Sequence, residues 1–274
     1  MDAMSECRVG LVEALNTRVY GNGTQTLVLS HGFGCDQTVW HYLIPVLAYY
    51  FRVVVFDLVF SSKVDPKLYD AQRYSDFSSY AQDLTSILDK LHLQKTIFLG
   101  HSMSAMIGCI AATERPDLFE HLILLSGSPR YLNTEGYYGG FNRSELDTIL
   151  SNIQHNYSGW IKAFAPQAVG VKNTAAVAEF EHSLGRMKPE IVLSVAKTVY
   201  LSDERRVLPR VHVPSTIILS EEDIVAPLSV AFYMKGRLGA PARIKILKTK
   251  GHFPQLSAPS QLLLVLKKVL HFDA

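Results

Sequence analysis

The stretch Lys95-Thr-Ile-Phe-Leu-Gly100-His101-Ser102-Met103-Ser104-Ala-Met-Ile-Gly108 decides how the rest of the chain is read. Thr96 to Leu99 is a short, apolar, partly β-branched run that predicts a buried strand, and Ser104 to Ala112, rich in Ala, Met and Ile, predicts a helix. Only Gly100, His101 and Ser102 remain for the reversal between them. A turn that tight strains the serine backbone and exposes its hydroxyl above the sheet edge, which is the geometry of a nucleophile elbow. The helix that follows aims its N-terminal amides at the same spot, where they stabilise an oxyanion. Two residues after the serine stands Ser104 and not the glycine of the G-x-S-x-G pattern, so this motif alone still allows an incidental serine in a buried strand-turn-helix.

The whole chain has 274 residues, of which 48% are apolar, enough for one large α/β domain or two small ones with a packed core. Its 27 basic and 25 acidic residues leave a net charge of +2 and are scattered, which gives no reason to expect nucleic acid or an anionic membrane as partner. Cys7, Cys35 and Cys109 have neither metal-ligand nor CxxC spacing, so no metal site is expected and reduced thiols in an intracellular compartment are. No segment reaches the ~18 consecutive apolar residues of a membrane span, and the first twenty residues lack the apolar core of a leader. The expectation is a protein of the cytoplasm, shared with the nucleus.

Outward from the elbow, residues 1 to 9 read as a loose extension and Leu11 to Tyr20 as a first strand that turns at Gly21-Asn22-Gly23 onto the next, Thr26 to Ser30. That next strand stops at His31-Gly32-Phe33-Gly34, where glycines on both sides of Phe33 free its amide to face a ligand. A dinucleotide loop is the rival reading, but Gly32-x-Gly34-x-x-Gln37 lacks the third glycine. A helical segment near Trp40 to Tyr50 precedes a buried strand, Arg52 to Asp57, and Tyr74 to Leu91 carries apolar residues at helical spacing. The strand His121 to Ser126 ends the first half. From Tyr131 to Tyr200 no strand pattern occurs; helices are predicted at about Arg143 to His155, Ser158 to Val169, Thr174 to Met187 and Pro189 to Ser202. This aromatic-rich, all-helical stretch reads as a lid, giving a core of residues 1–130 and 203–274 with a lid of 131–202 inserted in it. Strands Pro214 to Ser220 and Ala242 to Leu247 then alternate with helices Leu228 to Leu238 and Pro259 to Phe272.

Three chemistry-bearing residues follow separate strands. Ser102 ends one, the adjacent acids Glu222 and Asp223 end another, and His252 in Gly251-His252-Phe253-Pro254 ends the last. Serine, acid, histidine in that order is the order of a hydrolase triad: a nucleophile, a carboxylate that holds the imidazole, and a base that takes the serine proton and returns it to the leaving group. Asp57 precedes the serine and is out of order. Any one of these residues alone is more often a surface or core residue than a catalyst; their joint order and strand placement carry the reading.

The sequence resembles the strigolactone and karrikin receptors of plants, α/β hydrolases with a mostly parallel central sheet flanked by helices and a four-helix lid. The resemblance runs from His31-Gly-Phe-Gly34 and Asp36-Gln37 through Gly100 to Gly108, Arg115-Pro-Asp-Leu-Phe119, Ser128-Pro-Arg-Tyr131, Gly139-Gly-Phe141 and Phe164-Ala-Pro166 to Asp223-x-x-x-Pro227 and Gly251-His252-x-Pro-Gln-Leu256. Serine at position 104 is usual in that family. The resemblance implies Asp223 as the triad acid beside Ser102 and His252, and the amides of Phe33 and Met103 as the oxyanion hole. It implies pocket walls from Phe33, Met103, Tyr131, Phe141, Ile149, Phe164, Phe180, Val199, Tyr200, Ile224 and Val225. Met103 stands where the family commonly has valine and Tyr200 where phenylalanine is common, and residues 58–63 replace a glycine-containing loop. The activity implied is slow hydrolysis of a butenolide lactone by a monomer with no cofactor, coupled to binding of an F-box protein and a repressor target. An ordinary esterase or carbon-carbon bond hydrolase, or a binding module with a vestigial triad, is the rival.

Overall fold

The computed structural model describes residues 10–272, so the extension expected at 1–9 lies outside the described residues. Seven strands form one sheet in the order β1-β3-β2-β4-β5-β6-β7, numbered along the chain: Arg18–Tyr20, Thr26–Ser30, Arg52–Phe56, Thr96–His101, Phe119–Leu125, Ser215–Glu222 and Ala242–Lys250. All pairings are parallel except β1 with β3. The central strands β2 and β4 are buried along their whole length, because helices cover both faces of a parallel sheet. From β2 the chain steps to β3 on one side, then crosses back to β4 on the other. The reversal leaves a crevice at the carboxyl ends of β2 and β4, which is where open α/β sheets bind ligands.

The first strand departs from expectation. Residues 10–14 are helical and only Arg18–Tyr20 is extended, and it pairs antiparallel with β3, not across the glycine turn with β2. The reason is that β2 already has β3 and β4 on its two edges, so no edge is left for a hairpin partner. Between β5 and β6 the chain leaves the sheet for four helices, α4 (Arg143–His155), α5 (Tyr157–Val169), α6 (Thr174–Gly185) and α7 (Pro189–Leu201), which form an inserted cap. Asn142 and Glu145 close a capping box on α4, Asn156 and Asn173 cap the next two helices, and Pro189 opens the last. Core helices α1 (Ile44–Tyr50), α2 (Ser78–Lys90), α3 (Met103–Glu114), α8 (Leu228–Arg237) and α9 (Pro259–Leu270) flank the sheet.

Helix α3 is buried along almost its whole length and lies close against β4 and β5. The close approach depends on missing side chains: a Cβ at Gly108 would meet the Phe98 ring at 2.4 Å, and one at Gly100 would meet the Ser104 carbonyl oxygen at 2.4 Å. The space so kept is used by Ser104, whose hydroxyl donates to the His31 carbonyl at 2.5 Å and shares a hydrogen at 2.9 Å with Ser30. Ser104 thus ties the start of α3 to the end of β2, a job a glycine cannot do. Since backbone and not a flexible side chain blocks position 100, Gly100→Ala should lower the unfolding free energy by about 2–3 kcal/mol, as overpacked core sites do. Urea denaturation checks it, and a loss below ~0.5 kcal/mol would show that α3 can retreat at no cost.

Candidate active site

The turn after β4 puts Ser102 at φ 57°, ψ −122°, a left-handed conformation that a non-glycine residue holds only where its surroundings impose it. Its Oγ lies 2.8 Å from His252 Nε2, and His252 Nδ1 lies 2.7 Å from Asp223 Oδ2. The second Asp223 oxygen accepts the Val225 amide at 2.8 Å, so the carboxylate cannot rotate away. Both side chains are almost fully out of solvent. Glu222 points the other way, into solvent, where it pairs with Lys250 at 2.7 Å. Asp57 is bound to the Gln37 amide and the Asn16 side chain and holds loops together.

The histidine is held by its backbone as well as its ring. Its amide donates to the Ala168 carbonyl at the end of cap helix α5 at 2.7 Å, and its carbonyl accepts His101 Nε2 at 2.8 Å. The Ala168 carbonyl is one of those that a helix C-terminus leaves without an internal partner, so the two needs cancel. Gly251, at φ 94°, and Gly170, at φ 71°, meet at this seam; a Cβ on Gly170 would stand 2.6 Å from the Gly251 Cα. His101 is fully buried and has its proton on Nε2, and burial drives its pKa well below the ordinary imidazole value.

On the other side of Ser102, the His31-Gly-Phe-Gly34 loop is pinned by His31. Its Nε2 accepts the Leu58 amide at 2.9 Å, which leaves the proton on Nδ1, facing the Gly32 carbonyl at 2.9 Å. Burial lowers the His31 pKa, against the opposing pull of Asp57. Phe60 of the 58–63 segment packs edge-on against the His31 ring at 5.7 Å. Asp36 ends the loop, accepting the Thr38 amide and hydroxyl and, from the cap, Arg186 at 2.7 Å. Burial pushes the Asp36 carboxyl up, but the two Thr38 hydrogen bonds, with His31 and Lys63 nearby, prevail and hold it below the usual carboxylate range.

Above Ser102 is a small cavity of about 20 Å³, walled by Phe33, Tyr131, Phe164, Phe180, Val199, Tyr200, Val225, His252 and Phe253. The Tyr131 hydroxyl reaches to 3.4 Å from Ser102 Oγ. Phe141 stands behind this wall, edge-on to Tyr200 at 5.6 Å. Besides Phe141, three more residues expected in the wall, Ile149, Ile224 and Met103, are outside the lining. Ile149, on α4, is half-buried against the core and outside the cavity lining. Ile224 is 48% exposed and faces an outer apolar groove between the ends of α5 and α6, because the chain bends after β6 with the Val225 amide on the Asp223 carboxylate, which keeps Asp223 and Val225 inward and leaves Ile224 outside. Met103 is wholly buried; as first residue of α3 its amide has no carbonyl of the helix to bond, and so remains for the site. Among the described residues no group of three or more metal-ligating side chains converges, and no helix is long and apolar enough to cross a membrane.

Residues 27–264 match the model of the alpha/beta hydrolase family. A strigolactone esterase of Arabidopsis thaliana is 46% identical, across 95% of this chain and 97% of that protein. A karrikin insensitive 2 receptor of Petunia hybrida is 42% identical, across 97% and 99%. The chain belongs to the α/β hydrolase family, in its strigolactone esterase and karrikin receptor branch. A hydrolase from Oleispira antarctica has the same fold, with a TM-score of 0.92, 29% identity and coverage of 97% of this chain and 98% of that one.

Three supports of this hydrolase site have roles that the sequence did not reveal: the Ala168 carbonyl, His101 of the elbow motif and the Arg186–Asp36 pair. Phe253 also lines the cavity, and its place beside His252 was the available signal. Because the α5 terminus carries the His252 loop, Gly170→Ala should misplace the imidazole: kcat on any activated ester falls, by about 10²-fold if the shift approaches 1 Å, while KM moves little. A fall in melting temperature with kcat intact would mean that the seam is only structural. The buried histidines give a second expectation. His31 and His101 have folded pKa values below the unfolded ~6.5, so their stabilisation is full above that pH and is lost as pH falls below it, when the unfolded chain takes up the protons. Urea stability should fall between pH 7.5 and 5.5 by up to about 1.4 kcal/mol per pH unit for each histidine; a flat profile contradicts this.

Proposed function

We propose that this chain binds butenolide lactones and hydrolyses them slowly, with Ser102, His252 and Asp223 as triad. The observation that carries the reading is the Ser102–His252–Asp223 hydrogen-bond chain at 2.8 and 2.7 Å under an apolar, aromatic cavity, in a chain 46% identical to a strigolactone esterase. Ser102 Oγ attacks the lactone carbonyl while His252 Nε2 takes its proton, and Asp223 stabilises the imidazolium that forms. The amides of Phe33 and Met103 hold the oxyanion. Collapse to the acyl-enzyme expels the leaving oxygen, protonated by His252, and water then frees the acid by the same steps.

A cavity of about 20 Å³ admits roughly one water molecule, so a butenolide enters only if the wall moves. Much of that wall, Phe164, Phe180, Val199 and Tyr200, belongs to the cap. This supports residues 131–202 as a lid whose position answers to ligand, and so a receptor in which binding, turnover and lid position are linked. By the same resemblance the partners are an F-box protein and a repressor target, the acting form is a monomer, and the compartment is cytoplasm and nucleus.

Ser102→Ala should lower release of a fluorogenic leaving group from a butenolide by ~10⁴-fold or more, measured beside hydrogen exchange of residues 131–202 with and without ligand. Hydrolysis at the parent rate would remove Ser102 from its role. Rapid multiple turnover with unchanged cap exchange at saturating ligand would replace the receptor by a plain esterase.

A further inference from the structure

The cavity holds two phenol hydroxyls, and they are not equivalent. Tyr131 directs its hydroxyl to Ser102 Oγ, 3.4 Å away. Tyr200 lines the same cavity and is only 2% exposed, yet among the described residues its hydroxyl has no hydrogen-bond partner, nor is it sealed away as a fully buried orphan. The surface left to it is cavity. Its ring is fixed by three others, edge-on to Phe33 at 6.4 Å, Tyr131 at 5.8 Å and Phe141 at 5.6 Å, so the direction of the hydroxyl is set before any ligand arrives. Position 200 lies in the last turn of α7, at the base of the cap. Apart from this group, Ser102, His252 and the Tyr131 hydroxyl, the walls are phenyl and isopropyl surface.

A donor held ready in an apolar site acts as a selector. It gains when a ligand oxygen meets it and loses when an apolar group strips its water without replacing the bond. Burial and the Asp223 charge raise the Tyr200 pKa, so the phenol keeps its proton at every physiological pH and acts as donor.

We propose that Tyr200 is a specificity-determining residue: its hydroxyl hydrogen-bonds an acceptor oxygen that the butenolide carries in addition to the lactone group that reacts. The ligand class is thereby narrowed to butenolides with a carbonyl, ether or hydroxyl oxygen on the part that faces α7. This inference rests on the butenolide reading above and goes beyond it.

The test uses aryl enol-ether butenolides bearing an acetyl group at the ortho, meta or para position, each with an isopropenyl isostere that replaces the carbonyl oxygen by CH₂. The acetyl-to-isopropenyl ratio of kcat/KM is measured in the parent and in Tyr200→Phe; dividing one ratio by the other cancels the intrinsic reactivity of the leaving groups. At one ring position or more, the parent ratio should exceed that of Tyr200→Phe by about 5- to 10-fold, the worth of one neutral hydrogen bond. Ratios equal within twofold at all three positions overturn the proposal while leaving the butenolide reading intact. No hydrolysis of any of the six compounds by the parent overturns both. Should Tyr200→Phe not fold, the parent's Ser102→Ala form, which cannot turn over, should still show larger thermal shifts with acetyl compounds than with their isosteres; equal shifts refute the selector.

Discussion

The catalytic machinery of this chain depends on a histidine that has nowhere to go. His252 is bound at its amide by the cap, at its carbonyl by His101 of the elbow, and at its two ring nitrogens by Asp223 and Ser102. The four bonds come from three parts of the fold, the elbow after β4, the end of β6 and helix α5, so these and strand β7 must all be in register before the imidazole is aimed. The energetic force of the arrangement lies in burial. Every partner is shielded from water, where leaving one polar group unpaired costs roughly 1–3 kcal/mol, so partial assembly is disfavoured. A cap displaced at the α5 terminus removes one of the four holds. Cap seating and the aim of the base are thereby linked through a single carbonyl.

The same logic of close approach governs the other half of the site. The crevice between β2 and β4 exists because the sheet order reverses there, and it is narrow because Gly100 and Gly108 let α3 press against the sheet. Ser104 then bridges from α3 to the end of β2, and His31 bridges from β2 to the segment after β3. The His31-Gly-Phe-Gly34 loop is therefore braced from below by buried neutral groups and from above by Arg186 reaching Asp36 across the cap seam. His31 and His101 have no direct chemical task; their value is as rigid, neutral donors and acceptors, which is why their burial and low pKa values belong to the design.

Much of this was legible in the sequence because it is written in local pattern. The elbow is announced by a β-branched run, a three-residue turn and a helix rich in Ala, Met and Ile, and the cap by four strand-free helical stretches whose bounds nearly match the observed helices. Ser102 and His252 follow from strand ends. What was not legible is what local pattern does not encode. Glu222 and Asp223 are equivalent by spacing; only the alternation of the chain past β6 turns one to Lys250 and the other to His252, and the family resemblance had to choose. The partner of β1 was misread because sheet edges are decided by strands far away. Ile149 and Ile224 were carried over as wall residues because apolar type does not tell which side of a helix or loop faces a cavity. The Ala168 carbonyl is backbone, and backbone contacts leave no letter in a sequence.

The chain has two tryptophans, and the fold has put one in each half. Trp40 is sealed in the core, edge-on to His101 at 6.4 Å. Trp160 lies in the cap, stacked between Tyr157 and Phe164, and Phe164 is the next ring toward Phe180 and Phe253 at the catalytic cavity. Indole emission depends on such ring neighbours and on access of water. Both stacking rings ride on α5 with the indole, but the Tyr157 hydroxyl is tied to the Leu184 carbonyl of α6 at 2.6 Å, so a slide of α5 against α6 that breaks this tie and admits water changes the colour and lifetime of one fluorophore while the other stays beneath the elbow. The protein therefore carries its own two-channel optical gauge, with an internal standard, for the motion of the cap.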